Sequence, residues 1–147
     1  MRKFSFERLD VWQAAADLEL AVYAVVEKFP PDERFELKRQ VRRSVHSIPS
    51  NIAEGSGRAT GPDQAHFSTI AYGSLVETLN HLLIAVRHGY LTEADMTPLR
   101  LQFSEVATKL AALRRKQLKS PGLNNRLAQE PQPDYEHPDD FVLPPLE

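Results

Sequence analysis

The sequence predicts an all-α fold: an antiparallel up-and-down four-helix bundle over residues 1–119, followed by an extended, acidic, proline-rich C-terminal tail over 120–147. Three observations lead there. Four long segments carry apolar residues at helical spacing, the breaks between them are short enough to join antiparallel neighbours, and no segment alternates apolar and polar residues as a half-buried strand does. A chain of 147 residues is also the size of one ordinary domain, so a single core is the starting expectation.

The first segment runs from about Leu9 to Lys28 and stops at Phe29-Pro30-Pro31, because proline excludes the helical conformation from the residue before it. Val11, Ala14, Leu18, Val22, Val25 and Phe29 make one apolar stripe. Trp12, Ala16, Leu20 and Tyr23 make a second beside it. The combined stripe is wider than one intramolecular core requires, which marks those four as a candidate oligomer interface; the alternative is a helix wedged deep between its neighbours.

The second segment opens on Pro31, whose missing N–H costs nothing in a first turn, with Asp32 and Glu33 at the positive helix end, and runs to about Gly55. Leu37, Val41, Val45, Ile48 and Ile52 form its buried face. Pro49 falls inside this pattern and crowds the carbonyl of Val45, so a kink or break is expected, with Gly55 and Gly57 as a flexible stop. The third segment spans Thr60-Gly61-Pro62-Asp63 to His88, with Gly89 as a left-handed cap. Phe67, Ile70, Ala71, Ser74, Leu75, Thr78, Leu79, Leu82 and Val86 line one side, and small residues at 71, 73 and 74 would allow close helix approach. In the fourth, Thr92 and Asp95 form a variant capping box, and Met96, Leu99, Phe103, Val106, Leu110 and Leu113 repeat as a heptad seam.

Charge is unevenly divided. Residues 1–119 carry 17 Lys and Arg against 14 Asp and Glu, whereas residues 120–147 carry one Arg against six acids. The body is therefore mildly basic and the tail acidic. The tail reads as extended, yet Tyr135, Phe141, Leu143 and Leu146 punctuate it. Solvation alone has no use for these side chains, so docking on a groove of its own or a neighbouring subunit is the alternative. The absence of cysteine removes disulfides and thiolate chemistry and fits a reducing compartment. No uninterrupted apolar run approaches a membrane span, so a cytoplasmic protein with no membrane partner is expected.

The most unusual local sequence is Gln40 to Arg58. Gln40, Arg43, Ser47, Asn51, Glu54 and Arg58 recur at intervals of three and four, so a continuous helix places them on one polar face. That face either satisfies backbone groups around Pro49 and bonds to adjacent helices, or receives a ligand or partner. Lys38, Arg39, Arg42 and Arg43 form one basic cluster near it, with Arg58 beyond. Arg114, Arg115, Lys116 and Lys119 form another at the end of the fourth segment, where the helix dipole also favours cations. These are the candidate nucleic-acid-binding residues. No RRM aromatics, zinc knuckle or helix-turn-helix accompanies them, so any binding would be sequence-independent; the alternative is an ordinary solvated, dipole-neutralising role for these cations.

The run RRSVHSIPSNIAEGSGR, the upstream LDVWQAAADLELAVYAVVEKFPPDERFELKRQ and the downstream HFSTIAYGSLVETLNHLLIAVRHGYL together resemble the four-helix bundle protein family, also known as the 23S ribosomal RNA intervening-sequence proteins. The resemblance covers roughly residues 4 to 119. It implies an antiparallel four-helix bundle that assembles as a homopentamer around a central channel, in a bacterial family similar to accessory proteins of diversity-generating retroelements, which bind nucleic acid and a reverse transcriptase. The family pattern maps onto Arg42, Arg43, Ser47, Pro49, Asn51, Glu54, Gly55 and Arg58, with no residue-level role to carry over. The expected function is thus a non-enzymatic scaffold that binds itself and RNA or DNA. The alternative is a protein-interaction adaptor for a reverse transcriptase or ribosome-associated partner, acting through the tail or the polar face of the second helix.

Catalysis has the least support. A di-iron bundle needs paired Glu-x-x-His motifs, whereas Glu77 and His81 are four apart without a second pair, and Gly55-Ser56-Gly57 lacks the strand and Lys-Ser/Thr of a phosphate loop. No cofactor or metal is expected.

Overall fold

The computed structural model describes residues 2–32 and 36–120. After one 3₁₀ turn at Phe6–Arg8, four helices follow: α1 (Asp10–Val26), α2 (Leu37–Ser56), α3 (Gly61–Arg87) and α4 (Glu93–Leu118). Each packs on its two neighbours in a closed ring, α1 on α2 and α4, α3 on α2 and α4, while the diagonal pairs do not meet. Four helices in sequence order around one core form the expected bundle. The tail-docking candidates Tyr135, Phe141, Leu143 and Leu146 lie outside the described residues.

The buried face of α1 is Val11, Ala15, Leu18, Val22 and Val26, continued by Phe29 after the helix, instead of the predicted line through Ala14 and Val25. Both lines are helical, and the alanines are interchangeable by composition; only the neighbours choose between them. Of the four proposed interface residues, Leu20 is 71% exposed, whereas Trp12, Ala16 and Tyr23 are partly buried within the single chain. Trp12 is met edge-on by Phe6.

The second helix begins at Leu37, not Pro31. Pro31 and Asp32 stand exposed ahead of it. Its predicted face is confirmed by burial of Val41, Val45, Ile48 and Ile52, and the helix continues without a break across the buried Pro49. Gly55 is a close-approach residue, not the flexible stop expected there. It is buried inside α2, and a Cβ in its place would stand 2.7 Å from Phe67 Cβ and 3.3 Å from the Gln64 carbonyl oxygen of α3.

Thr60 caps α3 by accepting from the Asp63 N–H at 3.3 Å, and Gly89 closes its end with φ at 75°. Ala71, Ser74, Leu75, Thr78 and Leu82 are buried as predicted. Ile70 is not; it is 38% exposed. Gly73 has open space around it and takes no part in the close approach expected there, while Ala71 and Ser74 are buried. The heptad seam of α4 is buried from Met96 to Leu110, with Leu113 half-buried, and Gln117 extends it by accepting from Ser68 Oγ at 2.7 Å.

Over 18 residues α3 reaches a mean hydropathy of 1.2, so by length and composition it is apolar enough to cross a membrane, in contrast to the expectation that no segment is. A third of that stretch is buried inside the bundle, against α2 and α4.

Both ends of α4's first turn are tied. Asp95 accepts from the Thr92 N–H at 2.9 Å while Thr92 Oγ1 accepts from the Asp95 N–H at 3.2 Å, and Lys28 from the end of α1 pairs with the same carboxylate. The Lys28 hydrogen bond, then those from Thr92, lower the Asp95 pKa to about 2.

Two predictions follow from these contacts. Gly55→Ala gains about 1 kcal/mol of helix propensity but forces α2 and α3 apart at a backbone-proximal carbon, so chemical denaturation should show a net loss on the order of 1–2 kcal/mol. Asp95 has a depressed folded-state pKa, so its stabilisation is complete above its unfolded value near 4 and disappears as pH falls toward about 2. The stability difference between the parent and Asp95→Asn should accordingly be constant from pH 5 to 7 and shrink on acidification below pH 4.

Candidate nucleic-acid interface

The basic run at the start of α2 is divided by helical geometry into two pairs four residues apart. Lys38 and Arg42 lie toward α1. There Lys38 Nζ stands 3.0 Å from Glu27 Oε2 and Arg42 Nη2 stands 2.5 Å from Glu27 Oε1, with the Arg42 guanidinium 5.1 Å from the centre of the Tyr23 ring. The Lys38 hydrogen bond, joined by the charges of Lys38 and Arg42, holds the Glu27 carboxyl below the usual carboxylate range. Arg42 Nε is buried beside this pair with no hydrogen-bond partner among the described residues. These two cations are spent on fastening α2 to the end of α1.

Arg39 and Arg43 lie on the other side and are exposed, and neither is paired with a carboxylate among the described residues. They line a groove of about 690 Å³ together with Gln40, Ser44, Ser47 and Glu77. Two guanidiniums, the Glu77 carboxylate and several neutral hydrogen-bonding groups thus share one concavity.

The inner wall of that groove is held by hydroxyls. Thr78 Oγ1 lies 2.9 Å from Ser44 Oγ and 2.7 Å from the Ser74 carbonyl oxygen; Ser74 Oγ meets Ser47 Oγ at 2.8 Å; Asn51 Nδ2 donates to the Ser47 carbonyl at 2.8 Å. Thr78 is fully buried. Each small polar group is satisfied by a neighbour on its own helix or the facing one, so the chain lets α2 and α3 approach closely without leaving an orphan donor.

The predicted polar face therefore splits along its length. Gln40 and Arg43 stand open at one end, Ser47 and Asn51 serve the helix contact in the middle, and Glu54 pairs with Arg58 at 2.6 Å beyond. Arg58 also lies 4.3 Å from the Phe67 ring centre, above the Gly55 crossing. At the end of α4, Arg114 Nε donates to Thr69 Oγ1 at 3.0 Å, and exposed Arg115, Lys116 and Lys119 carry no ion pair among the described residues. Since α4 ends beside the start of α3, with Gly61 against Gln117 and Ser120, this second cluster sits at the opposite end of the bundle from Arg39. The two clusters are not brought together within one chain.

The family model of the 23S rRNA-intervening sequence proteins matches residues 7–112, from the first turn to the last buried leucine of α4. The chain belongs to this family. No curated protein matches the chain. In this member of the 23S rRNA-intervening sequence protein family, the matched span takes in the α2–α3 groove but stops before the α4 cations. Glu77 and His81, the pair weighed as a metal fragment, meet at 3.4 Å, and among the described residues no three His, Asp or Glu side chains converge on a point. Sequence reading missed Glu77 and Ser44 as groove residues; the helical offset between Ser44 and Ser47 was the signal available for the second.

If Arg42 fastens helices while Arg39 and Arg43 face solvent, their truncations should differ. Arg42→Ala should cost on the order of 1 kcal/mol through lost cation–π and ion-pair contacts, whereas Arg39→Ala and Arg43→Ala should each stay within about 0.5 kcal/mol of the parent in thermal or urea unfolding.

Proposed function

We propose that this protein is a non-enzymatic, self-assembling scaffold of the cytoplasm that binds RNA or DNA through its phosphates, with Arg39 and Arg43 as the principal contacts. The observation that carries the reading is the pair of guanidiniums in the α2–α3 groove that forms no ion pair among the described residues. Guanidinium presents a planar fork of donors that matches two phosphate oxygens, and Gln40 and the Ser44 and Ser47 hydroxyls add neutral partners nearby. Contacts of this kind follow the backbone and do not read bases. Arg114, Arg115, Lys116 and Lys119 supply a second, more open cluster, while Lys38, Arg42 and Arg58 are already committed to carboxylates of the bundle.

Self-assembly is supported by the outward face of α3. Ile70, Tyr72, Val76 and Ile84 are 38%, 48%, 51% and 39% exposed on it, large apolar side chains that a partner can cover. Leu20 is exposed on α1, the helix diagonal to α3. Two different patches on diagonal helices suit a head-to-tail contact, which closes into a ring when the rotation allows, as the pentamer implied by the family resemblance requires. Five copies multiply the phosphate contacts made at once, which compensates for the small net charge of each.

The measurement is RNA and duplex DNA affinity across a salt series, alongside sedimentation equilibrium. Binding should weaken steeply with salt, and Arg39→Ala/Arg43→Ala should flatten the log–log slope by about 0.9 per lost contact on duplex DNA. Val76→Glu should reduce both mass and affinity. No binding at about 50 mM salt, or an unchanged slope in the double variant, contradicts the proposal. A second reading, an adaptor for a reverse transcriptase or ribosome-associated protein, draws on Glu77 in the groove and on the apolar face of α3. It predicts capture of one protein that is insensitive to salt.

A further inference from the structure

A second groove, of about 200 Å³, lies between α3 and α4 and is lined by Ser68, Tyr72, Leu110, Ala111, Arg114 and Arg115. Its floor is mostly apolar carbon, its rim carries two guanidiniums, and Tyr72 is half exposed on its wall. The shape asks for a ligand that combines a ring with carboxylates. Arg114 meets only the neutral Thr69 hydroxyl, and Arg115, Lys116 and Lys119 meet no carboxylate, among the described residues.

The same chain carries such a ligand. Beyond Ser120 the sequence holds one Arg against six acids, and Asp134-Tyr135-Glu136 and Asp139-Asp140-Phe141 set rings beside carboxylates. Ser120 lies at the end of α4, about 15 Å along the helix axis from Leu110. Residues 121–133, fully extended, reach roughly 40 Å, well beyond that span. A tethered segment is also present at an effective concentration of about millimolar, so a weak contact suffices to hold it.

We propose that residues 134–143 dock on their own chain in the α3–α4 groove, with Tyr135 and Phe141 on the apolar floor and the carboxylates of Asp134, Glu136, Asp139 and Asp140 against Arg114 and Arg115. Docking engages Arg114 and Arg115, leaves Lys116 and Lys119 unengaged, and makes the tail a competitor of phosphate at this second cluster, while Arg39 and Arg43 stay open. It does not rest on nucleic-acid binding, and its test contains no nucleic acid.

The test places a photoreactive benzoylphenylalanine at position 72 of the full-length protein, where the exposed side chain tolerates replacement. Illumination should give an adduct between position 72 and a peptide within residues 134–143. In a mixture of isotopically light and heavy protein the adducts should pair only within one isotope. Yield should fall several-fold in Asp134→Asn/Glu136→Gln/Asp139→Asn/Asp140→Asn and in Arg114→Glu/Arg115→Glu. It should return when the latter is combined with Asp139→Arg/Asp140→Arg. Adducts only to other regions, adducts of mixed isotope, or a yield unchanged by neutralising the four acids each overturn the proposal.

Discussion

The close contact of α2 with α3 is the constraint on which the rest of the structure depends. It is made possible by Gly55, whose missing side chain admits Phe67, and by a line of small polar residues, Ser44, Ser47, Ser74 and Thr78, that bond to one another or to nearby backbone. Hydroxyls are compact enough to let two helices approach and polar enough to fix their register, since sliding by one residue would leave buried oxygen atoms without partners. Arg39 and Arg43 share the groove with Ser44 and Ser47 of this bonded line.

Charge in this protein is organised by neutralisation more than by abundance. Glu27 absorbs Lys38 and Arg42, Glu54 absorbs Arg58, and Asp95 absorbs Lys28, each pair linking an element to the next or closing a helix end. Exposed pairs contribute little stability individually. Their consequence lies in subtraction: they engage Lys28, Lys38, Arg42 and Arg58, whereas Arg39 and Arg43 in the groove and the group at the far end of α4 are paired with no carboxylate among the described residues. A body with a small excess of positive charge can thereby present a concentrated field at chosen places.

The outward face of α3 adds a different constraint. A helix whose apolar stretch is one-third buried leaves side chains such as Val76 exposed on its outer face. The self-assembly proposed above would cover that face and carry the α2–α3 groove of each copy into a repeated array. Membership in the 23S rRNA-intervening sequence protein family is consistent with a small helical module, and the groove lies within the part of the chain that the family shares.

The helical periodicities, the caps at Thr60, Thr92 and Gly89, and the seam from Met96 to Leu110 were legible in the sequence, because each depends on local backbone geometry or on a spacing that any helix imposes. The candidate cations were legible too, as residue types in runs. What the linear pattern left open was decided by neighbours. Whether Ala14 or Ala15 is buried, whether Gly55 ends a helix or admits Phe67, and which pair among Lys38, Arg39, Arg42 and Arg43 meets a carboxylate all depend on side chains remote in sequence. A helix offers several faces of comparable apolarity and charge, and only packing in three dimensions determines which of them turns toward a partner and which remains open to solvent.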